Sequence, residues 1–190
     1  MIGEAFFVST GVVALGEMGD KTQLLALLLA ARFRKPVPII AGIFVATLLN
    51  HAAAGAMGVW LTHLLNPTWL RVGLGLSFIA VALWMLVPDK ADNRDAQPRS
   101  RYGVFGLTLV AFFMAEMGDK TQIATIMLAA RYDALWTVTA GTTLGMMLAN
   151  VPAVLLGEKV VKIVPIQWVH RIAALVFAVI GIAMLAGVGR

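Results

Sequence analysis

Glu17-Met18-Gly19-Asp20-Lys21-Thr22-Gln23 recurs later in the chain as Glu116-Met117-Gly118-Asp119-Lys120-Thr121-Gln122. Both copies interrupt long apolar stretches, about Ala5–Ala31 and about Tyr102–Ala130. Downstream, Leu-Ala-Ala-Arg-Phe at 29–33 matches Leu-Ala-Ala-Arg-Tyr at 128–132, and Ala-Gly at 41–42 matches Ala-Gly at 140–141. The offset is 99 residues throughout, so the two halves align without a gap. Self-similarity at one fixed period is the mark of a duplicated structural unit.

The rest of the chain explains where such a unit sits. Of 190 residues, 60% are hydrophobic and 13% charged, against about a quarter charged in soluble domains. A chain this short has too little interior to hide that apolar surface from water, so lipid is the expected solvent. Spans need roughly 20 mostly apolar residues. Charge-free stretches at about Val37–Leu65, Val72–Val87, Ala134–Gly157 and Ile172–Val188 meet or approach this length, and the two motif-bearing stretches make six. The expected fold is an all-α polytopic membrane protein. Residues 1–87 form a first three-helix repeat, 88–101 a polar cytoplasmic linker, and 102–190 a second three-helix repeat. The first apolar stretch follows Met-Ile-Gly-Glu with no basic segment before it, and reads as a span rather than a cleaved signal peptide.

Three spans per half is an odd number, so the second half enters the membrane from the opposite side. That gives inverted-topology repeats, the architecture with which many secondary transporters expose a midplane site to each face in turn. Basic residues give the orientation. One set of loops carries Arg32, Arg34, Lys35, Lys90, Arg94, Arg99, Arg101, Lys159, Lys162 and the nearby Arg171; the other carries Arg71, Arg131 and Arg190. The richer set is expected in the cytoplasm, which puts both termini on the non-cytoplasmic side of the cell (inner) membrane. The net charge of +5 is therefore a membrane-topology signal and no sign of nucleic-acid binding. With no cysteine, disulfides and thiolate metal sites are excluded.

Ionisable residues inside a span are costly and mark pathways or sites. Read as continuous helix, the motif puts Glu17, Asp20, Lys21 and Gln23 on one face, and Glu116, Asp119, Lys120 and Gln122 on the matching face of the second half. Gly19 and Gly118 weaken the helix there, and unwinding would offer backbone carbonyls to an ion. Each motif sums to minus one with its lysine charged, so two facing motifs make a site of minus two. One divalent cation or two protons would neutralise it, which points to exchange of one for the other on the same carboxylates. Glu17, Asp20, Gln23, Glu116, Asp119 and Gln122 are the expected metal ligands. Such a hard oxygen set suits Ca²⁺, Mn²⁺ or Mg²⁺.

These residues carry a resemblance. The chain resembles the GDT-type family of divalent cation/proton exchangers, also called the calcium:cation antiporter-2 family, which is defined by two Glu-x-Gly-Asp-Lys/Arg-Thr/Ser motifs. Here both copies, Glu17–Thr22 and Glu116–Thr121, fit without departure, and the likeness covers nearly the whole chain. The resemblance implies transport of Mn²⁺ or Ca²⁺ against protons, with the motif acids forming the cation site. For a compact bacterial-type chain it implies manganese export from the cytoplasm. The metal is then cargo; no cofactor and no enzymatic activity are expected.

Other polar residues receive supporting or structural readings. Lys21 and Lys120 either tune the acids or balance their charge. Thr22 and Thr121 either ligate the metal or bond back to a helix carbonyl. His51 and Asn150, paired by the 99-residue offset, either support the site from nearby or make a helix–helix hydrogen bond, the reading given to Asn50. Met18 and Met117 either pack against neighbours or add a soft ligand that favours Mn²⁺, packing being the preferred reading. Gly55, Gly58, Gly141 and Gly145 permit close helix approach. Two rival functions are open to sequence: an intramembrane aspartyl protease using Asp20 and Asp119 as a proton-sharing dyad, and a membrane protein that binds metal without moving it.

Overall fold

The computed structural model describes residues 2–87, 103–157 and 166–187. The expected linker, with Lys90, Arg94, Arg99 and Arg101, lies outside the described residues, as do Lys159, Lys162 and Arg190. Eight helices are found among the described residues: α1 (Ile2–Glu17), α2 (Lys21–Phe33), α3 (Pro36–Leu64), α4 (Pro67–Met85), α5 (Val104–Glu116), α6 (Lys120–Tyr132), α7 (Leu135–Leu156) and α8 (Ile166–Leu185). No strand is found among these residues.

Local chemistry sets the boundaries. Pro36 and Pro67 open α3 and α4, where a missing N–H costs nothing. Asn66 caps α4, its Oδ1 accepting from the Thr68 N–H at 2.8 Å. α2 closes with Arg34 in the left-handed region (φ 52°), and the Arg34 N–H donates to the Ala30 carbonyl at 2.9 Å.

The motif-bearing stretches differ from the sequence expectation. Each is two helices rather than one interrupted span. Gly19 and Gly118 adopt φ of 83° and 74°, a conformation glycine takes without a Cβ clash. Asp20 and Asp119 follow in extended conformation as the N-caps of α2 and α6. α1 and α2 meet at a bend of 68°. The shared helical face expected for Glu17, Asp20 and Lys21 therefore does not exist; a break stands in its place.

Helix boundaries repeat at the same offset of 99: α2 and α6 at both ends, α1 and α5 at their last residue, α3 and α7 and then α4 and α8 at their first. Contacts between the halves repeat too. A Cβ on Gly42 of α3 would lie 2.9 Å from the Phe105 carbonyl of α5, and one on its counterpart Gly141 of α7 would lie 2.7 Å from the Phe6 carbonyl of α1. Each long helix thus packs on the first helix of the other half. α4 and α8 run antiparallel, with Gly75 against Gly181 and Leu185. Phe78 and its counterpart Phe177 meet at their centre, ring centroids 6.0 Å apart.

Four helices are long and apolar enough to cross a membrane, and the bent α1–α2 pair makes a fifth candidate. Leu83, Leu148, Leu175 and Val179 face outward, each more than half exposed, a surface that lipid covers at no cost. The protein's own core forms two apolar clusters, one around Phe78, Phe177 and Leu128, the other around Leu29, Ile43 and Phe112. The motif acids beside the breaks, Glu17, Asp20, Glu116 and Asp119, are buried, whereas Met117 and Gly118 of the second break are exposed.

Candidate metal centre

Each break is braced by its own motif. The Gly19 N–H donates to Gln23 Oε1 and the Gly118 N–H to Gln122 Oε1, both at 2.8 Å. The glutamine amide groups then tie the breaks to the long helices of the other half. Gln23 Nε2 donates to the Ala149 carbonyl of α7 at 2.9 Å, and Gln122 Nε2 to Asn50 Oδ1 of α3 at 3.1 Å. Asn50 in turn donates to the Phe113 carbonyl at 3.0 Å. Both glutamines, read from sequence as ligands, are thus engaged at both ends of their amides.

The acids converge. Glu17, Asp20 and Asp119 are buried, and each offers an oxygen within 4.8 Å of the others. The set draws on both motifs. The lysines cross between them: Lys21 Nζ lies 3.1 Å from Asp119 Oδ1, and Lys120 Nζ lies 3.9 Å from Asp20 Oδ1. The crossing brings acids of both copies together without a shared helical face. A proton-sharing aspartyl dyad has no need of a cation on each aspartate, so this pairing gives the protease reading no support.

The two copies are not equivalent. Glu116 stands outside the three-oxygen cluster and accepts from Thr47 Oγ1 at 2.7 Å. The residue of α7 matching Thr47 is Met146. Thr22 donates to Glu17 Oε2, whereas Thr121 donates to Asp119 Oδ2 at 3.1 Å. Glu17 Oε1 and Glu116 Oε2 are buried with no hydrogen-bond partner among the described residues, which leaves acceptor capacity for a cation. The lysines also differ. Lys21 keeps 29% of its side chain exposed and Lys120 only 2%. Lys120 is covered by the end of α4, donating to the Val87 carbonyl at 3.3 Å with the Trp84 ring centroid 5.9 Å away.

His51 and Asn150 are both fully buried, but no hydrogen bond joins either to a motif side chain among the described residues. The His51 carbonyl accepts from Thr139 at 3.5 Å, and Asn150 Nδ2 donates to the Met146 carbonyl at 3.1 Å. Sequence reasoning missed Thr47 and Trp84. Thr47 was discoverable, since Thr47, Asn50 and His51 share one face of α3 at helical spacing. Trp84 carried no signal, because a span-end tryptophan is ordinary.

Fold and site together define a class: an all-helical membrane transporter built on a duplicated unit, with a buried carboxylate cluster assembled from both copies. The chain belongs to the GDT1 family of divalent cation/proton antiporters, whose family profile matches residues 5–93 and 104–189. A relative from Vibrio cholerae named "Putative manganese exporter" is 51% identical, covering 93% of this chain and 88% of its own length. A GDT1-like protein of Synechocystis is 31% identical over 91% of this chain and 92% of its own. GDT1-like protein 5 of Arabidopsis thaliana is 25% identical over 96% and 95%. No solved structure matches the chain.

Proposed function

We propose that this protein exchanges a divalent cation, Mn²⁺ first and Ca²⁺ second, for protons, and exports the metal from the cytoplasm. The observation that carries this reading is the convergence of Glu17, Asp20 and Asp119 within 4.8 Å, crossed by one lysine from each motif. Three carboxylates with threonine hydroxyls beside them form a hard, anionic oxygen site, suited to Mn²⁺ or Ca²⁺. Glu116 keeps a buried oxygen without a hydrogen-bond partner among the described residues and is the fourth motif acid available to the ion. Gln23 and Gln122 hold the breaks in shape instead of ligating.

The metal-free site is held by Lys21 and Lys120 as tethered cations. Metal entry displaces Lys21 first, since its side chain is the more exposed. Metal release returns the lysines and protons to the acids, and the cycle turns. The repeating helix boundaries, the exchanged contacts of α3 and α7, and the antiparallel Phe78–Phe177 meeting support an inverted repeat of six spans. In that arrangement α1–α2 and α5–α6 are broken spans entering from opposite faces, and both termini are non-cytoplasmic.

The test is Mn²⁺ flux into proteoliposomes with an entrapped pH dye. Metal entry should be matched by proton exit, driven by an imposed pH gradient, and abolished in Asp119→Asn. Metal flux indifferent to the gradient would overturn proton exchange, and metal binding without flux would overturn the transporter reading.

A further inference from the structure

A second polar site includes Arg131, at the opposite end of α6 from the second motif. Arg71 and Arg131 both line a cavity of about 150 Å³ where the ends of α3, α6 and α8 meet the start of α4. The remaining wall is largely apolar, with Leu65, Leu70, Leu74 and Met184. Arg71 Nε and Arg131 Nη1 are buried without a hydrogen-bond partner, and among the described residues neither arginine forms an ion pair. A guanidinium nitrogen shut away from water and unpaired is costly, and two facing one cavity define a demand for negative charge.

We infer that this cavity binds the phosphate of an anionic ligand, with a phospholipid headgroup as the occupant its apolar wall favours. Two guanidinium forks match phosphate oxygens bidentately. The Arg131 guanidinium lies 5.2 Å from the Tyr132 ring centroid, a contact that orients its fork. The Glu4 carboxylate accepts from the Tyr132 hydroxyl at 3.2 Å, and Asp133, at the C-cap of α6, forms no ion pair with either arginine among the described residues. The start of α4 is already capped by Asn66, so the attraction comes from the arginines. Leu65 of the cavity wall and Trp69, next to Leu70 in sequence, are 43% and 71% exposed, as at a membrane interface. The leucines and Met184 then suit the glycerol and first acyl carbons behind a phosphate.

The duplication does not repeat this site. The counterpart of Arg71 is His170, whose Nε2 lies 2.9 Å from the Met18 carbonyl at the first break. The counterpart of Arg131 is Arg32, which lies over Phe33. One such site per chain is expected, and it is independent of the transport reading.

The experiment uses the full chain in detergent, titrated separately with phosphatidylglycerol, phosphatidylethanolamine and inorganic phosphate, with retention read by native mass spectrometry and stabilisation by thermal unfolding. One phosphatidylglycerol per chain should be retained, with affinity about tenfold weaker in Arg71→Gln and Arg131→Gln, partly restored in Arg71→Lys, and unchanged in Lys35→Gln. Equal stabilisation by inorganic phosphate would assign a free anion as the source while keeping the site. No retained phospholipid and no phosphate effect would overturn the proposal, as would equal retention by both Gln variants. Unchanged helical circular dichroism and gel-filtration elution of those variants establish that they are folded.

Discussion

Lys21 and Lys120 hold the same place in identical motifs, yet their replacement should have unequal consequences. Lys120 is 2% exposed, with Nζ 3.9 Å from Asp20, 3.3 Å from the Val87 carbonyl and beside the Trp84 ring. Removing one partner of a buried ion pair costs about 3–5 kcal/mol, because the other charge is stranded. Methionine preserves the packing of the lysine stem, so about 3 kcal/mol is expected for Lys120→Met. Lys21 lies closer to its acid, at 3.1 Å, but 29% of its side chain is exposed. Solvent screening holds such a pair to about 1 kcal/mol. The difference, about 2 kcal/mol, is roughly thirtyfold in the unfolding equilibrium. Chemical unfolding in detergent, followed by helical circular dichroism without metal, measures it directly. Saturating Mn²⁺ should shrink the Lys120→Met deficit, since the ion supplies the missing positive charge. If Lys21→Met proves equally destabilising, or if Mn²⁺ leaves the deficit untouched, the tethered-cation reasoning is wrong.

Other outcomes follow from geometry already described. Gly58→Ala would set its Cβ 2.2 Å from the Ile126 carbonyl and should cost about 1–3 kcal/mol by forcing α3 from α6; Gly73→Ala, with nothing within 4 Å, should gain about 0.5–1 kcal/mol from helix propensity, both read from unfolding midpoints. Gln122→Leu should lower stability by about 1–2 kcal/mol through two lost hydrogen bonds, yet leave calorimetric Mn²⁺ affinity within about threefold, while Asp119→Asn weakens it at least about tenfold. A Gln122 loss as large as that of Asp119 would make the glutamine a ligand after all. Asn66→Ala should cost about 1 kcal/mol as a lost cap, with Mn²⁺ flux unchanged.

Much of this molecule was legible from the repeated heptapeptide. The all-helical class and the membrane setting followed from charge inside apolar runs, and the family from the doubled motif. The internal form of the motif did not. Periodicity treats seven residues as two helical turns, and it placed Glu17, Asp20 and Lys21 on one face. Positive φ at Gly19 and Gly118 ends the helix instead. A glycine within a motif signals that option, but the tertiary brace that selects it, Gln23 to α7 and Gln122 to α3, is a contact between halves that no local pattern encodes. The inequality of the copies was equally hidden. Identical motifs read identically, and the difference resides in Thr47 against Met146 and in the end of α4.

That last contact bears on the energetics of a full turnover. Trp84 and Val87 of the α4 end cover Lys120, but at the matching positions of the second half stand Ala183 and Ala186. No indole is available to close over Lys21 in the same way. In the exchange cycle proposed above, the two end states are then not mirror images and are expected to differ in energy. A bias of about 1.4 kcal/mol is enough for a tenfold preference, so under that proposal the empty carrier is expected to favour one side of the bilayer before any gradient acts on it.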